Sequence, residues 1–303
     1  METIISPKGT RVFYPRGQEP HPCVSVITPV WKGDEENYMW TWRAVGSKNK
    51  RFHLLELTGH LLLSDRHTLE WIIIGDNQCG WLENLSLPTD TKKIIVNINN
   101  ISHKRNTGLL QARGEYVMLL DADQRPVGSL EWLQSFLMDD LIEMMERDKL
   151  DMLTLKEEMS FTGGYLQRCY HQLRQLYWDH SDIGIPRLYR RNVIGGIFFD
   201  EKHLHFEDLD FYSNVISRGG KEGRAGIFPC IYHHEKFSFW KTMRKARIAH
   251  LQSRVHRVNS VGRISLKDLL RHTPYSYLPG VLFLLITKMV AKRFLPVAEG
   301  TPR

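Results

Sequence analysis

Residues 116–126 read Tyr-Val-Met-Leu-Leu-Asp-Ala-Asp-Gln-Arg-Pro. The apolar run Tyr116 to Leu120 has the length and character of a strand buried on both faces, and it follows a helical stretch, Ser102 to Arg113, closed by Gly114. The run then breaks into a polar loop that carries Asp121 and Asp123 and ends at Pro126. Other segments repeat this pattern. Cys23 to Thr28 is an apolar run stopped by Pro29, Leu69 to Ile74 runs into the turn Gly75-Asp76-Asn77, and Lys93 to Val96 is a further strand. Ser129 caps a helical stretch reaching about Met145, with Glu131 near its start, before Met152 to Leu155. Apolar strands alternating with helices predict an α/β chain whose largely parallel sheet is covered on both faces. Ligands of such sheets sit beyond the carboxyl ends of the strands, which is where Thr28-Pro29, Asp76-Asn77 and Asp121 to Asp123 fall.

The second half is less regular. Helix is expected over much of Phe161 to Trp178 and over Phe206 to Arg218, where Gly219-Gly220 ends it, and short strands near Phe199 and over Ile227 to Tyr232. Residues 1–21 are expected as an irregular lead-in, 22–238 as the main domain, dividing near residue 125, and 239–303 as a basic, partly apolar helical extension. At 303 residues, 42% hydrophobic and 25% charged, the composition is that of a globular chain. The net charge of +7 is concentrated in the tail: residues 241–303 hold 13 Lys and Arg against two acids, +11, leaving 28 basic and 32 acidic side chains, −4, elsewhere. Such a tail suits nucleic acid, anionic headgroups or a phosphorylated acceptor, and equally a solvated surface. Four scattered cysteines form no CxxC motif, and the first residues contain no continuous apolar run of the secretory kind, so a cytoplasmic setting is expected.

Asp121 and Asp123, just past a buried strand, suit a divalent cation gripping a diphosphate, since hard cations take carboxylate oxygens. Turn capping is the alternative for such acids. Asp76 can accept from a base N–H, and Thr28 and Pro29 can wall the base or ribose. Arg105 can meet phosphate or orient Asp121, with Asn106 as a helix cap. Glu207, Asp208 and Asp210 open a helix whose dipole favours acids there. Asp208 is nonetheless the candidate base for an acceptor hydroxyl, with Glu207 orienting it or contacting the acceptor. His233 or His234 can add a metal ligand, His234 being preferred, and Lys236 and Ser238 can close over the diphosphate.

Together these motifs resemble the family-2 glycosyltransferases of the GT-A fold. The resemblance covers Val24-Ser25-Val26-Ile27-Thr28-Pro29, Trp71 to Asp76, Arg105-Asn106-Thr107-Gly108, Gly114-Glu115-Tyr116, Leu119 to Asp123 and Glu207-Asp208-Leu209-Asp210. It implies a GT-A nucleotide-diphospho-sugar transferase fold, a mixed, mostly parallel central sheet flanked by helices. It also implies a donor site at Thr28, Asp76, Arg105 and Asp121, Mn2+ or Mg2+ at Asp123, and inversion through direct displacement with Asp208 as base. A UDP-sugar is the leading donor. The expected acceptor is a glycan, a polysaccharide precursor or a lipid-linked sugar. A nucleotidyltransferase and an inactive carbohydrate-binding protein are the alternatives; nucleic acid is not an expected partner. The apolar segment Tyr275 to Leu295 is short for a membrane span. It is expected to lie at an anionic membrane surface on the cytoplasmic face, to dock on the catalytic domain, or to form a homo-oligomer.

Overall fold

The computed structural model describes residues 2–5, 11–14, 23–36, 38–41, 50–53, 55, 58, 68–85, 87, 91–126, 137–161, 163–180, 185–203, 206–225, 231–255 and 265–294. Its largest sheet has seven strands, in the order Glu222–Ala225, Met152–Leu155, Leu188–Arg190, Tyr116–Leu119, Val24–Pro29, Leu69–Asp76 and Lys92–Val96. Val24–Pro29 lies parallel to both neighbours, with Val26 opposite Met118 on one side and Trp71 on the other. Leu188–Arg190 runs antiparallel to both of its neighbours.

The strands carry apolar side chains to both faces, as their uninterrupted hydrophobic runs require. Val24, Val26, Trp71, Ile73, Met118 and Leu120 pack with Leu141, Ile142 and Met145 of the helix Leu137–Arg147. On the opposite face, Ile27, Ile72, Ile74, Val117 and Leu119 pack with Phe211 and Val215 of the helix Glu207–Ser217. The helix Ile101–Gln111 begins at Asn100, whose side chain accepts from His103 N. Asn106, expected as its cap, instead clamps the backbone of Phe199, donating to its carbonyl at 2.9 Å and accepting from its N–H at 2.8 Å.

Several expectations are corrected. The GT-A fold class supposed one continuous central sheet, whereas the described strands divide among separate sheets. Glu2–Ile5 and Arg11–Tyr14 form an antiparallel pair of their own, apart from the seven-stranded sheet. The pair falls within the stretch expected as an irregular lead-in, and both of its runs are rich in β-formers. A three-stranded sheet orders Glu157–Met159, Ile231–His233 and Gln124–Pro126, and a further pair joins Tyr38–Thr41 to Lys50–His53. The predicted cap at Ser129 and its neighbour Glu131 lie outside the described residues.

The extension folds as helices Phe239–Val255, Leu266–His272 and Leu278–Phe294. Met243, Leu269, Val281 and Leu284 pack there against Cys169, Tyr170, Leu173 and Leu176 of the helix Tyr165–His180. One face of the tail is therefore docked. Among the described residues, no helix is long and apolar enough to cross a membrane.

At the amino ends of the central strands, Ser25 Oγ donates to Glu70 Oε1 at 2.5 Å and accepts from Gly114 N at 2.7 Å. A Cβ on Gly114 would stand 2.5 Å from the backbone nitrogen of Ser25, which has no room to retreat within the sheet. Gly114→Ala is expected to destabilise the fold by about 1–3 kcal/mol through overpacking, measured by urea denaturation.

Candidate functional site

Asp121 lies two residues past Leu119, the end of the Tyr116–Leu119 strand, and the chain before it is fixed by backbone bonds to both sides: Leu119 N donates to Arg187 O and Leu120 N to Ile27 O. The small sheet then folds the loop over. Gln124 pairs with His233 across it, and His234 N donates to Asp123 O at 2.7 Å. This sheet joins three segments far apart in the chain, the acidic loop, Glu157 and the histidine pair.

Arg105, from the helix Ile101–Gln111, places Nη2 2.8 Å from Asp121 Oδ1 and Nη1 3.3 Å from Glu207 Oε1. Arg187 reaches the other Asp121 oxygen at 3.4 Å and donates from Nε to Glu157 Oε1 at 2.9 Å. Glu157, fully buried, also meets His233 Nδ1 at 3.1 Å, and His233 Nε2 lies 3.3 Å from Asp123 Oδ1. The result is a chain of alternating charge, Glu207–Arg105–Asp121–Arg187–Glu157–His233–Asp123.

The alternation sets the protonation states. Burial alone would raise the pKa of Asp121, but Arg105 and Arg187 outweigh it and hold the carboxyl well below the usual carboxylate range. Glu157 is lowered in the same way, Arg187 and His233 overcoming its burial. Burial would lower His233, yet Asp123 and Glu157 dominate and raise it to about 10. His234, partly buried beside Arg125 and His233, falls to about 4.

Glu207 and Asp208 begin the helix Glu207–Ser217, directly after Phe206, which is held in the left-handed region at φ 66°. A bulky residue in that region is a strained turn, retained where the surroundings fix it. Glu207 turns inward to Arg105. Asp208, half-buried, has a raised pKa, caused first by burial and then by the charge of Glu207.

The remaining expected residues are placed differently. Thr28 is wholly buried, its Oγ1 accepting from Trp71 Nε1 at 3.0 Å, and Pro29 is buried beside it. Asp76 keeps a charge, but Lys104 Nζ holds its Oδ2 at 2.8 Å and Gln78 N donates to its Oδ1 at 2.8 Å. A base N–H would share those oxygens rather than find one open. Lys236 is exposed on the segment after His234.

Not every expected ligand fits a cation. Among the described residues no three His, Cys, Asp or Glu side chains cluster as a metal cage. A cation bridging a diphosphate does not need one, because one or two carboxylates suffice when substrate oxygens and water complete the shell. Asp123 fits this role, its side chain being 31% exposed beside its contact with His233. Both oxygens of Asp121 are taken by guanidinium groups, and Nε2 of His234 faces Arg125 Nε at 3.2 Å, which occupies its lone pair.

Arg187 and Glu157 complete the arrangement although nothing in their sequence context marks them. Of the two adjacent histidines, His233 is the one whose side chain meets Asp123, at 3.3 Å. For that choice the signal was present: in the strand Ile231–His233 alternate residues are buried, so the imidazole shares the inward face with Ile231.

No family model matches the chain, and no curated protein matches it. Among solved structures, S. aureus TarS 1–349 in complex with UDP-GlcNAc is similar in fold. It is 16% identical with a TM-score of 0.50, over 89% of this chain and 89% of that one. A longer S. aureus TarS structure gives 16% identity and a TM-score of 0.49, and the match spans only 54% of its length and 89% of this chain. The mannosyltransferase PcManGT from Pyrobaculum calidifontis in complex with GDP-Man and Mn2+ gives 12% identity and a TM-score of 0.48, over 90% of this chain and 74% of that one. At such identities a likeness concerns the fold alone, and only the first of these supports even that. The family-2, GT-A assignment drawn from the motifs is corrected by the separate sheets, which depart from the single sheet it supposed.

His233 makes the site a source of pH-dependent stability. Its folded pKa lies above that of a free imidazole, so its contribution is complete below about pH 6.5 and is lost as pH rises toward about 10. Urea denaturation from pH 6.5 to 8.5 is expected to show falling stability in the native protein. His233→Gln should show a flatter profile over that range.

Proposed function

We propose that the chain transfers a sugar from a nucleoside-diphosphate sugar to an acceptor hydroxyl. The observation that carries this reading is the link through Arg105 between two acidic stations beyond the sheet. Asp121 and Asp123 lie at one and Glu207 and Asp208 at the other, with Asp208 the member whose pKa is raised. Displacement at a sugar carbon requires charge control at the diphosphate and a base at the incoming hydroxyl, and the two stations divide those tasks. TarS 1–349, similar in fold, was solved in complex with UDP-GlcNAc, which is in keeping with a UDP-sugar donor here.

Asp123 would hold Mn2+ or Mg2+, which when bound would neutralise charge on the diphosphate. Asp208 takes the proton from the acceptor hydroxyl as its oxygen bonds to the anomeric carbon and the bond from that carbon to the diphosphate breaks, the nucleoside diphosphate leaving from the opposite face with inversion. Glu207 and Arg105 position that carboxylate. Arg105 and Arg187 keep Asp121 ionised and fixed, so that it orients the donor rather than moving protons. Thr28, Pro29 and Asp76 shape the base side of the site from behind, and Lys236 covers the diphosphate. A glycan, a polysaccharide precursor or a lipid-linked sugar supplies the hydroxyl.

Two variants separate these roles. Asp123→Asn is expected to weaken cation-dependent binding of UDP-sugars in calorimetry while the protein stays folded; unchanged affinity and cation dependence would remove Asp123 from the donor site. Asp208→Asn should retain donor binding but lower transfer by a factor of ~100 to 10,000, the usual share of a general base. The readout is acceptor-dependent release of nucleoside diphosphate. Near-native transfer by Asp208→Asn would assign the base elsewhere, and formation of pyrophosphate with a nucleotide-sugar would mark a nucleotidyltransferase instead.

A further inference from the structure

The helix Leu278–Phe294 has two apolar faces, and only one is covered. Val281, Leu284 and Ala291 are buried against the neighbouring helices. On the outer side Phe283 is 46% exposed, Ile286 57%, Met289 63%, Val290 52% and Phe294 76%. These positions recur at three- and four-residue spacing and so share one broad face, a patch of large side chains that a helix at a water surface does not ordinarily present. The patch continues onto the helix Phe239–Val255, where Phe239 stacks at 6.0 Å on Phe283 and carries the adjoining Trp240, itself 73% exposed. Lys292 and Arg293 border it and are exposed. Lys288, by contrast, turns inward over the Tyr170 ring, at 5.3 Å.

We infer that this outer face docks on an anionic lipid surface, its apolar residues entering the headgroup–acyl boundary while Lys292 and Arg293 meet anionic headgroups. Charge selects this occupant over a second copy of the chain. Residues 241–303 carry a balance of +11, so two copies joined through this face would bring like charges together, whereas an anionic bilayer complements them. An aromatic at the edge of the patch, as Trp240 is, suits the polar–apolar boundary of a bilayer. The attachment is peripheral, as the helix is too short and too charged to span. It stands independently of the transfer reaction, because it concerns a face built by the extension and needs no donor.

Flotation of the full chain with phosphatidylcholine vesicles, with and without phosphatidylglycerol, tests it in the absence of any nucleotide-sugar. Binding is expected only to vesicles containing phosphatidylglycerol and is expected to weaken with added salt. Lys292→Gln combined with Arg293→Gln should lower the partition roughly 30-fold, about fivefold for each cation near an anionic surface. Ile286→Ser combined with Val290→Ser, both on the solvent side, should abolish flotation while leaving the circular dichroism spectrum and the thermal midpoint near native. No flotation of the folded native chain with either vesicle would overturn the inference, and so would flotation unaffected by both double variants. A dimer in sedimentation that Ile286→Ser with Val290→Ser dissolves, without vesicle binding, would likewise overturn it and assign the face to a second copy.

Discussion

Seven ionised side chains of alternating sign, from Glu207 through Arg105, Asp121, Arg187, Glu157 and His233 to Asp123, hold the candidate site together. None of the interior members is tolerable alone. A buried charge without its partner costs several kcal/mol, and here each interior group has a partner on both sides. The carboxylates at the two ends belong to different segments, one on the loop after a central strand and one at a helix start. Their separation is therefore set by the intervening guanidinium and imidazole groups as much as by the backbone. Such a chain adds little net stability over an apolar core of equal volume, but it admits only one arrangement of the loops that carry it.

The sheets are arranged to serve that constraint. Leu188–Arg190 runs antiparallel in the larger sheet, which brings Arg187 beside the end of the Tyr116–Leu119 strand, where its carbonyl accepts from Leu119 N. The smaller sheet takes the chain just past Asp123 and pairs it with the strand ending at His233. Glu157 then enters parallel to that strand and lies beneath both, accepting from Gln124 Nε2 at 3.2 Å. A second buried pair, Lys104 with Asp76, ties the helix Ile101–Gln111 to the adjacent strand end. Lys104 Nζ also donates to Val30 O at 2.7 Å and lies 4.5 Å from the Trp31 ring centre. Arg105 is the next residue on that helix, so the placement of one cation fixes the start of the other chain.

What the sequence disclosed follows from which interactions are local. The strands Val24–Pro29, Leu69–Asp76 and Tyr116–Leu119 were legible because each is a largely apolar run closed by a polar turn, and the helix at Glu207 because its acids precede a stretch ended by paired glycines. Arg187 and Glu157 were not, because each is a single charged residue in an ordinary context. Their meaning comes from partners 66 and 76 residues away, Asp121 and His233. Motifs at strand ends also say nothing about how the other strands group. That is why a single GT-A sheet was expected where Glu2–Ile5 and Arg11–Tyr14 pair only with each other. The choice between adjacent histidines was readable in principle, since a strand sends neighbouring residues to opposite faces.

The extension connects to the same electrostatics. Glu235, one residue past His234, lies within 3.4 Å of Arg174 Nε and 3.3 Å of Lys245 Nζ, so helices on either side of it share one half-buried carboxylate. Burial would raise Glu235, but Arg174 and Lys245 hold it well below the usual carboxylate range. Lys288, from the last helix, meets the same cluster and is pushed down to about 8, first by burial and then by Arg174. Positive charge from three helices thus converges on the segment that carries His233 and His234. The tail is consequently more than a decoration on the sheet. Its inner face fixes the segment that closes the acidic loop, and this leaves its outer apolar face pointing away from the rest of the fold.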